Sequence, residues 1–128
     1  MLDHTGIQVR DYEASKAFYT RTLATLGYEL RKDFGVTCGF GVPSGHGKSP
    51  DPAGDFWVIK GEPFKGFHIA FCAKDRASVD AFYKAAMAAG ATDNVPPGLR
   101  PHYHENYYGA FVLDPDGHNI EAVSHDEI

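Results

Sequence analysis

The amino-acid sequence predicts an α+β fold made of two βαβββ modules whose mixed sheet curls to form a cleft. The first observation is a self-match, in which one half of the chain repeats residues of the other at a shift of 64 positions. The second is that each half opens with a strand-like run followed by an amphipathic helix that ends at a glycine. A long unit that occurs only twice indicates a duplicated module rather than a solenoid. The repeated pairs are His4 and His68, Asp11 and Asp75, Ala17 and Ala81, Phe18 and Phe82, and Tyr19 and Tyr83.

Length and composition indicate a single domain, with a first module at about 1–62 and a second at about 66–125. The chain has 128 residues, of which 43% are hydrophobic and 23% charged, as is usual for soluble proteins. Its net charge of −5 argues against a nucleic-acid partner, which favours a basic surface. We find no secretory signal and no run of the ~20 apolar residues that a membrane span needs. We therefore expect a cytoplasmic protein with no membrane partner.

The first module is predicted to run β-α-β-β-β. Residues 4–9 alternate between apolar and polar side chains, which indicates a strand. Asp11 is a suitable N-cap for an amphipathic helix over 12–26, and Gly27 is a suitable stop. Three further strands are predicted at 28–32, 34–42 and 55–60, with a surface loop at 43–54.

The second module is predicted to repeat this plan. A strand at 67–73 precedes a helix over about 76–89, which Asp75 caps and Gly90 ends. Residues 91–106 contain several prolines and are expected to be irregular. The last two strands, at 107–113 and 118–124, are joined by a hairpin turn at 114–117 in which proline and glycine supply the required torsions.

Two histidines and one glutamate are predicted to share the sheet face that points away from the helices. Apolar residues occupy the helix side of each strand, which leaves His4, His68 and Glu121 on the opposite side. Two imidazoles and one carboxylate bind a divalent metal with coordination positions left over. Taken singly, a histidine at the start of a strand is usually a half-exposed polar residue, and a glutamate beside a hairpin is usually solvated.

These residues resemble the vicinal oxygen chelate superfamily, which includes glyoxalase I, bleomycin-resistance proteins and extradiol dioxygenases. The resemblance lies in His4 at the head of the first strand, in GFHIAF at the head of the second module and in LDPDGHNIEAV near the end. It implies paired βαβββ modules around a metal-binding cleft. It also implies one divalent ion, either Fe, Mn, Zn or Ni, held by His4, His68 and Glu121.

The resemblance implies an enzyme that acts on a small oxygen-bearing molecule, but it leaves the reaction open. Glyoxalase I-like members carry a further glutamate or glutamine on the last strand of the first module, whereas residues 56–59 here read Phe-Trp-Val-Ile. Both lactoylglutathione-lyase-like isomerisation and extradiol-type dioxygenation therefore remain candidates. A metal-free protein that sequesters a drug, as bleomycin-resistance proteins do, is the alternative from a different class.

A second polar cluster follows residue 99 and reads RPHYHENYY. We predict a loop over the mouth of the cleft, with His104 as a base, Tyr103 or Tyr108 as a proton donor and Arg100 as an anion clamp. The alternative is a surface loop whose aromatic rings pack on the rim. Substrate contacts are also predicted for Trp57, which either lines the pocket or packs in the core, and for Asn119, which shares the face of Glu121.

A homodimer is expected, because a curled sheet of two modules leaves edge strands that can pair with another chain. The metal site lies either within one chain or between two. His46 and His118 are expected to be solvated, and His125 is expected near a frayed end. Both cysteines, Cys38 and Cys72, are expected in the core of a protein from a reducing compartment.

Overall fold

The computed structural model describes residues 2–128 and contains two four-stranded mixed sheets, each with one helix against it. This arrangement confirms the predicted α+β fold with two βαβββ modules; the sheets do not close into a barrel. The first module comprises β1 Thr5–Val9, α1 Tyr12–Leu23, β2 Glu29–Asp33, β3 Thr37–Gly41 and β4 Phe56–Lys60. The second comprises β5 His68–Cys72, α2 Arg76–Ala88, β6 Thr92–Leu99, β7 Tyr108–Leu113 and β8 Asn119–Ser124.

The N-terminal sheet has the strand order β1-β4-β3-β2, in which β1 and β4 run parallel and the other pairs antiparallel. Asp11 caps α1 as predicted, since its carboxylate accepts a hydrogen bond from the backbone N–H of Ala14 at 3.0 Å. The helix ends at Leu23, earlier than predicted, because the chain tightens into a 3-10 turn at Ala24–Leu26. Gly27 then adopts a φ of 87°, a conformation that glycine favours.

The C-terminal sheet repeats the topology with the order β5-β8-β7-β6. The prediction that residues 91–106 are irregular was wrong for their first half, because β6 pairs with β7 there. The strand tolerates Pro96 and Pro97 because it is an edge strand and its register shifts between Val95 and Gly98. The second module is therefore a complete copy of the first.

One apolar core lies between the helix sides of the two sheets. Phe56 of β4 and Phe71 of β5 meet edge to face with ring centroids 5.1 Å apart, so the two modules share this core. The opposite side of each sheet, called here its open face, is not covered by a helix. The open face of the N-terminal sheet carries Trp57 and Ile59, and that of the C-terminal sheet carries Glu121. No helix within residues 2–128 is long and apolar enough to cross a membrane.

Candidate metal centre

His68 and Glu121 meet on the open face of the C-terminal sheet. In the parallel pair of β5 and β8, Ala70 is level with Glu121, so His68 lies two residues earlier on the same face. The ring nitrogen Nε2 of His68 is 3.2 Å from Oε1 of Glu121. The sheet register thus brings two of the three predicted metal ligands into contact.

The His68 ring is oriented by its other nitrogen. Nδ1 lies 3.0 Å from the backbone oxygen of Asn119, and because a carbonyl oxygen only accepts, Nδ1 must carry the hydrogen. The ring also stacks on Phe111, with centroids 6.1 Å apart and planes at 26°. A metal-binding histidine usually donates its other ring N–H to such a carbonyl, so Nε2 of His68 is the nitrogen available to a metal.

Glu121 is buried with little compensation for its charge. Its residue is 2% exposed, and among the described residues His68 is the one basic side chain within 4.0 Å of its carboxylate. The hydroxyl of Tyr107 donates to Oε2, and Gly109 keeps the space beside it clear, since a Cβ there would lie 3.1 Å from Oε2. Burial, followed by this hydrogen bond, raises the pKa of Tyr107, which therefore remains a donor at neutral pH. A buried carboxylate without a full counter-charge is costly, and a cation would relieve that cost.

His4 lies on the other sheet. Its side chain is 59% exposed, and Nδ1 is 2.7 Å from the carboxylate of Asp3. It lines a shallow pocket of about 480 Å³ with Trp57 and Ile59, and a second groove that includes Ala70 of β5. Within residues 2–128, His4 does not join His68 and Glu121 in a set of donor atoms less than 4.8 Å apart.

The loop after β6 brings His104 and Tyr103 close to this site through Tyr107. The Tyr103 and His104 rings lie 4.9 and 5.3 Å from the ring of Tyr107, which donates to Glu121. Nε2 of His104 is within hydrogen-bond distance of Nδ1 of His125, at 2.8 Å. Both His104 and Tyr103 are therefore one side chain removed from the carboxylate.

Tyr107, rather than Tyr108, faces the site. Antiparallel pairing puts Phe111 opposite Glu121, so odd-numbered residues of this segment share the open face. Tyr108 faces α2, where its hydroxyl donates to Asp80 at 2.7 Å. The structure thus separates Tyr108 from His68 and Glu121 by the thickness of the sheet. Alternation alone does not identify Tyr107, because the face that it occupies depends on the register of β7 with β8, in which Leu113 pairs with Asn119.

Arg100 lies on the same open face as His68. Its two terminal nitrogens donate to the backbone oxygens of Leu99 and Pro96, at 3.1 and 2.8 Å. Its guanidinium carbon is 6.0 Å from the centre of the Phe111 ring, the same ring on which His68 stacks. A half-buried cation is thus held in place beside the predicted ligands.

The two remaining predicted substrate contacts lie on different sheets. Asn119 begins β8; its side-chain oxygen accepts from Asn94, and its backbone oxygen orients His68. Trp57 lies on the open face of the N-terminal sheet, where it stacks on Phe34 with centroids 6.5 Å apart. Trp57 is half-buried and Phe34 is 64% exposed. Trp57, together with Ile59, therefore gives His4 an apolar neighbourhood.

Two of the other predictions need correction. His118 is 2% exposed rather than solvated, because its Nε2 makes a 2.9 Å hydrogen bond to the backbone oxygen of Gln8 in the first module. Cys38 is buried as expected, but Cys72 is exposed on the open face of β5, where parity places it with His68.

The paired βαβββ modules define a class of small α+β proteins with two open sheet faces, and comparison gives the family. The family model described as "Glyoxalase/Bleomycin resistance protein/Dioxygenase superfamily" matches residues 1–122. The chain therefore belongs to this superfamily, as the resemblance of its motifs indicated.

Solved structures agree with this assignment. A glyoxalase/bleomycin resistance protein from Albidiferax ferrireducens T118 is 30% identical, with a TM-score of 0.78 over 97% of this chain and 98% of that one. A glyoxalase/bleomycin resistance protein/dioxygenase family enzyme from Burkholderia phytofirmans PsJN is 22% identical, with a TM-score of 0.70 over 97% of this chain and 98% of that one. The second likeness shows the fold alone. No curated protein matches the chain.

Proposed function

We propose that this protein is a divalent-metal-dependent enzyme that acts on a small oxygen-bearing molecule. The observation that carries the proposal is the contact between Nε2 of His68 and the buried carboxylate of Glu121, at 3.2 Å. The hydrogen bond from Nδ1 of His68 to a backbone oxygen leaves Nε2 directed at this carboxylate. The pair offers one nitrogen and one oxygen donor from a rigid sheet.

These residues fit a divalent ion of the Fe, Mn, Zn or Ni kind, which takes imidazole and carboxylate ligands. Such an ion would supply the positive counter-charge that the buried carboxylate of Glu121 lacks. When bound, it would supply Lewis-acid stabilisation of oxygen atoms on the substrate.

His4 is the third ligand in this proposal, and we assign it to a second copy of the chain. Within one chain His4 is directed to Asp3 and Trp57, on a different sheet from His68. The open faces of both sheets carry exposed apolar side chains, among them Ile59 of the N-terminal sheet and Val95 of the C-terminal sheet, at 38% and 36% exposure. A dimer in which one N-terminal sheet faces the partner's C-terminal sheet would cover these side chains and complete the site.

The chain's own groups give the site its chemistry. Tyr107 holds its proton beside Glu121 and is the proton donor closest to the ligands, while His104 is the neighbouring base. Arg100 offers a fixed positive charge for an anionic group of the substrate. β4 contributes no carboxylate on its open face, so three ligands leave positions for two adjacent substrate oxygens, as either isomerisation or ring-cleaving dioxygenation requires.

Metal analysis of the purified protein tests the proposal. We expect one ion per proposed site, and a loss of that ion in His68→Ala and Glu121→Gln. His46→Ala, in an exposed loop, is the matched control and should retain the metal. Oxygen uptake with catechols and Fe(II), set against isomerisation of thiol adducts with Ni(II) or Zn(II), separates the two reactions. A protein that binds none of these ions would contradict the proposal.

Mixing two inactive variants tests the shared site. His4→Ala and Glu121→Gln homodimers each lack one ligand in every site. After subunit exchange, the mixed dimer would contain one complete site, formed by His4 of one chain with His68 and Glu121 of the other. Recovery of up to half the activity per mixed dimer supports sharing. If mixing restores nothing although the subunits exchange, the ligands belong to a single chain.

A metal-free binding protein is the second candidate, favoured by the stacked pair of Trp57 and Phe34 on an open face. Exposed parallel aromatic rings offer a stacking surface for a planar ligand. Such a protein would bind aromatic compounds equally well after treatment with a chelator. Tryptophan fluorescence of Trp57, the one tryptophan in the chain, measures that binding directly.

A further inference from the structure

The hairpin turn between β7 and β8 brings together two carboxylates and an imidazole, away from the proposed catalytic site. One donor atom from each of Asp114, Asp116 and His118 lies within 4.8 Å of the others. All three groups are almost completely buried: Asp114 is 5% exposed, the side chain of Asp116 5% and His118 2%. Acidic groups of an ordinary surface turn would instead be open to water.

His118 has a buried nitrogen without a partner. Its Nε2 is 2.9 Å from the backbone oxygen of Gln8, and because that oxygen only accepts, Nε2 must carry the hydrogen. Nδ1 is then a bare lone pair, and it has no hydrogen-bond partner. Buried polar atoms are nearly always satisfied, so this lone pair requires a partner from outside the chain, either an ordered water or an ion. A metal ion accepts such a lone pair directly.

The two carboxylates also have no buried positive side chain beside them among the described residues. Asp114 accepts hydrogen bonds from neutral donors, namely the hydroxyl of Tyr19 and the backbone N–H groups of Asp116 and His118. Asp116 accepts from the backbone N–H of Arg10 and the hydroxyl of Ser15, at 3.2 and 3.5 Å. Among the described residues, the cation nearest to Asp116 is Arg10, 3.8 Å away with a side chain that is 63% exposed. Burial of two carboxylates beside one solvated cation is costly, and a further cation would lower that cost.

We propose that this turn holds one divalent transition-metal ion between Asp114, Asp116 and Nδ1 of His118. One imidazole with two carboxylates suits Zn²⁺ and chemically similar ions, whereas Ca²⁺ and Mg²⁺ prefer oxygen ligands alone. The site connects the modules, since His118 also binds Gln8 of β1 and Asp114 also binds Tyr19 of α1. Its role is to tie the C-terminal hairpin to the first module, independently of the proposed catalytic ion.

The test uses the full chain with both His68→Ala and Glu121→Gln, so that the open-face donors are absent. Titration with Zn²⁺, and with Co²⁺ as a visible-absorption probe, should show one ion per chain and a rise in the melting temperature. Adding Asp116→Asn or His118→Gln should weaken binding by at least about tenfold. His118→Gln retains a donor for the Gln8 oxygen, and Asp93→Asn on β6 is the matched control that should leave binding unchanged.

Failure of this proposal is distinguishable from failure of the proposed function. If the double variant binds no ion, or if neither Asp116→Asn nor His118→Gln weakens its binding, the turn is not a metal site. Should either of these variants fail to fold, X-ray absorption of the Co²⁺-loaded double variant decides. Light-atom ligands with a single imidazole support the site, and coordination by water alone overturns it. The catalytic proposal is tested separately, by whether the unaltered protein binds one more ion than the double variant.

Discussion

The two modules share one backbone plan but carry different chemistry on their open faces. In the N-terminal sheet, His4 lines a shallow pocket with Trp57 and Ile59, and β4 has no carboxylate on that face. In the C-terminal sheet, the equivalent histidine, His68, contacts the buried Glu121. The first module thus presents an apolar wall and a single imidazole, and the second module presents the charged groups. Repetition of the backbone therefore does not mean repetition of the side chains on the open faces.

The largest expected effect concerns the core that the modules share. Phe56→Ala and Phe71→Ala should each destabilise the protein by about 3–5 kcal/mol, because each removes a fully packed aromatic ring. Since the rings touch, the double variant should show a coupling of about 0.5–3 kcal/mol. Urea denaturation of the four proteins measures it. Strictly additive losses, or two separate transitions, would mean that the modules fold as independent units.

The second-largest effect is expected on the open face of the C-terminal sheet, which carries the charged groups. Glu121→Gln keeps the size of the side chain but removes the anionic donor, so affinity for Zn²⁺ or Fe²⁺ at the open face should fall by on the order of 100-fold. Competition with a chelator dye measures the affinity. Glu62→Gln, at a side chain that is 86% exposed, is the control. Equal affinity in E121Q and the unaltered protein would place the metal elsewhere.

A smaller effect on stability is expected at the N-caps of the two helices, which occupy repeated positions in the two modules. Asp11→Ala and Asp75→Ala should each cost about 1 kcal/mol, since each removes an N-cap acceptor. The loss should be greater for Asp75, whose carboxylate accepts from both the backbone N–H and the hydroxyl of Ser78, whereas that of Asp11 accepts from Ala14 N–H. Thermal unfolding measures both, and a greater loss for Asp11 would contradict this account.

The smallest effect is a pH dependence confined to the first module. A hydrogen bond from Tyr12, with help from Gly35 N–H and Lys16, lowers the pKa of Asp33 to about 2. Because the folded pKa lies below the ordinary value, this stabilisation is complete above about pH 4. It is lost as the pH falls toward 2.

Asp33→Asn should therefore flatten the dependence of the urea midpoint on pH between about 4 and 2. Asp93→Asn is the matched variant, because Asp93 on the edge strand of the other sheet accepts from Tyr83 of α2 as Asp33 accepts from Tyr12 of α1. An unchanged pH profile in D33N would show that the Tyr12 contact does not act through the charge of Asp33.

Much of the fold could be predicted because the signals were local. Alternating apolar residues gave β1 and β8, and Asp11 and Asp75 gave the helix starts. β6 was missed because two consecutive prolines usually exclude a strand, and only its position at the edge of the sheet makes them tolerable. The position of β6 within its sheet is set by tertiary structure, which a single sequence does not show.

The placement of His68 and Glu121 on one sheet face could also be predicted. Strand parity was enough to place His68 and Glu121 together. The presence of Tyr107 in the site, where Tyr108 was predicted, is set by the register between β7 and β8. The burial of His118 depended on contact with Gln8, 110 residues away along the chain. No local pattern carries information on such a contact.

The prolines of β6 have a further consequence for how copies of this chain can meet. An exposed sheet edge normally invites a neighbouring strand and thereby growth into fibres. Pro96 and Pro97 have no amide hydrogen to offer such a strand. Pairing with the edge of another sheet is therefore disfavoured at this border of the C-terminal sheet.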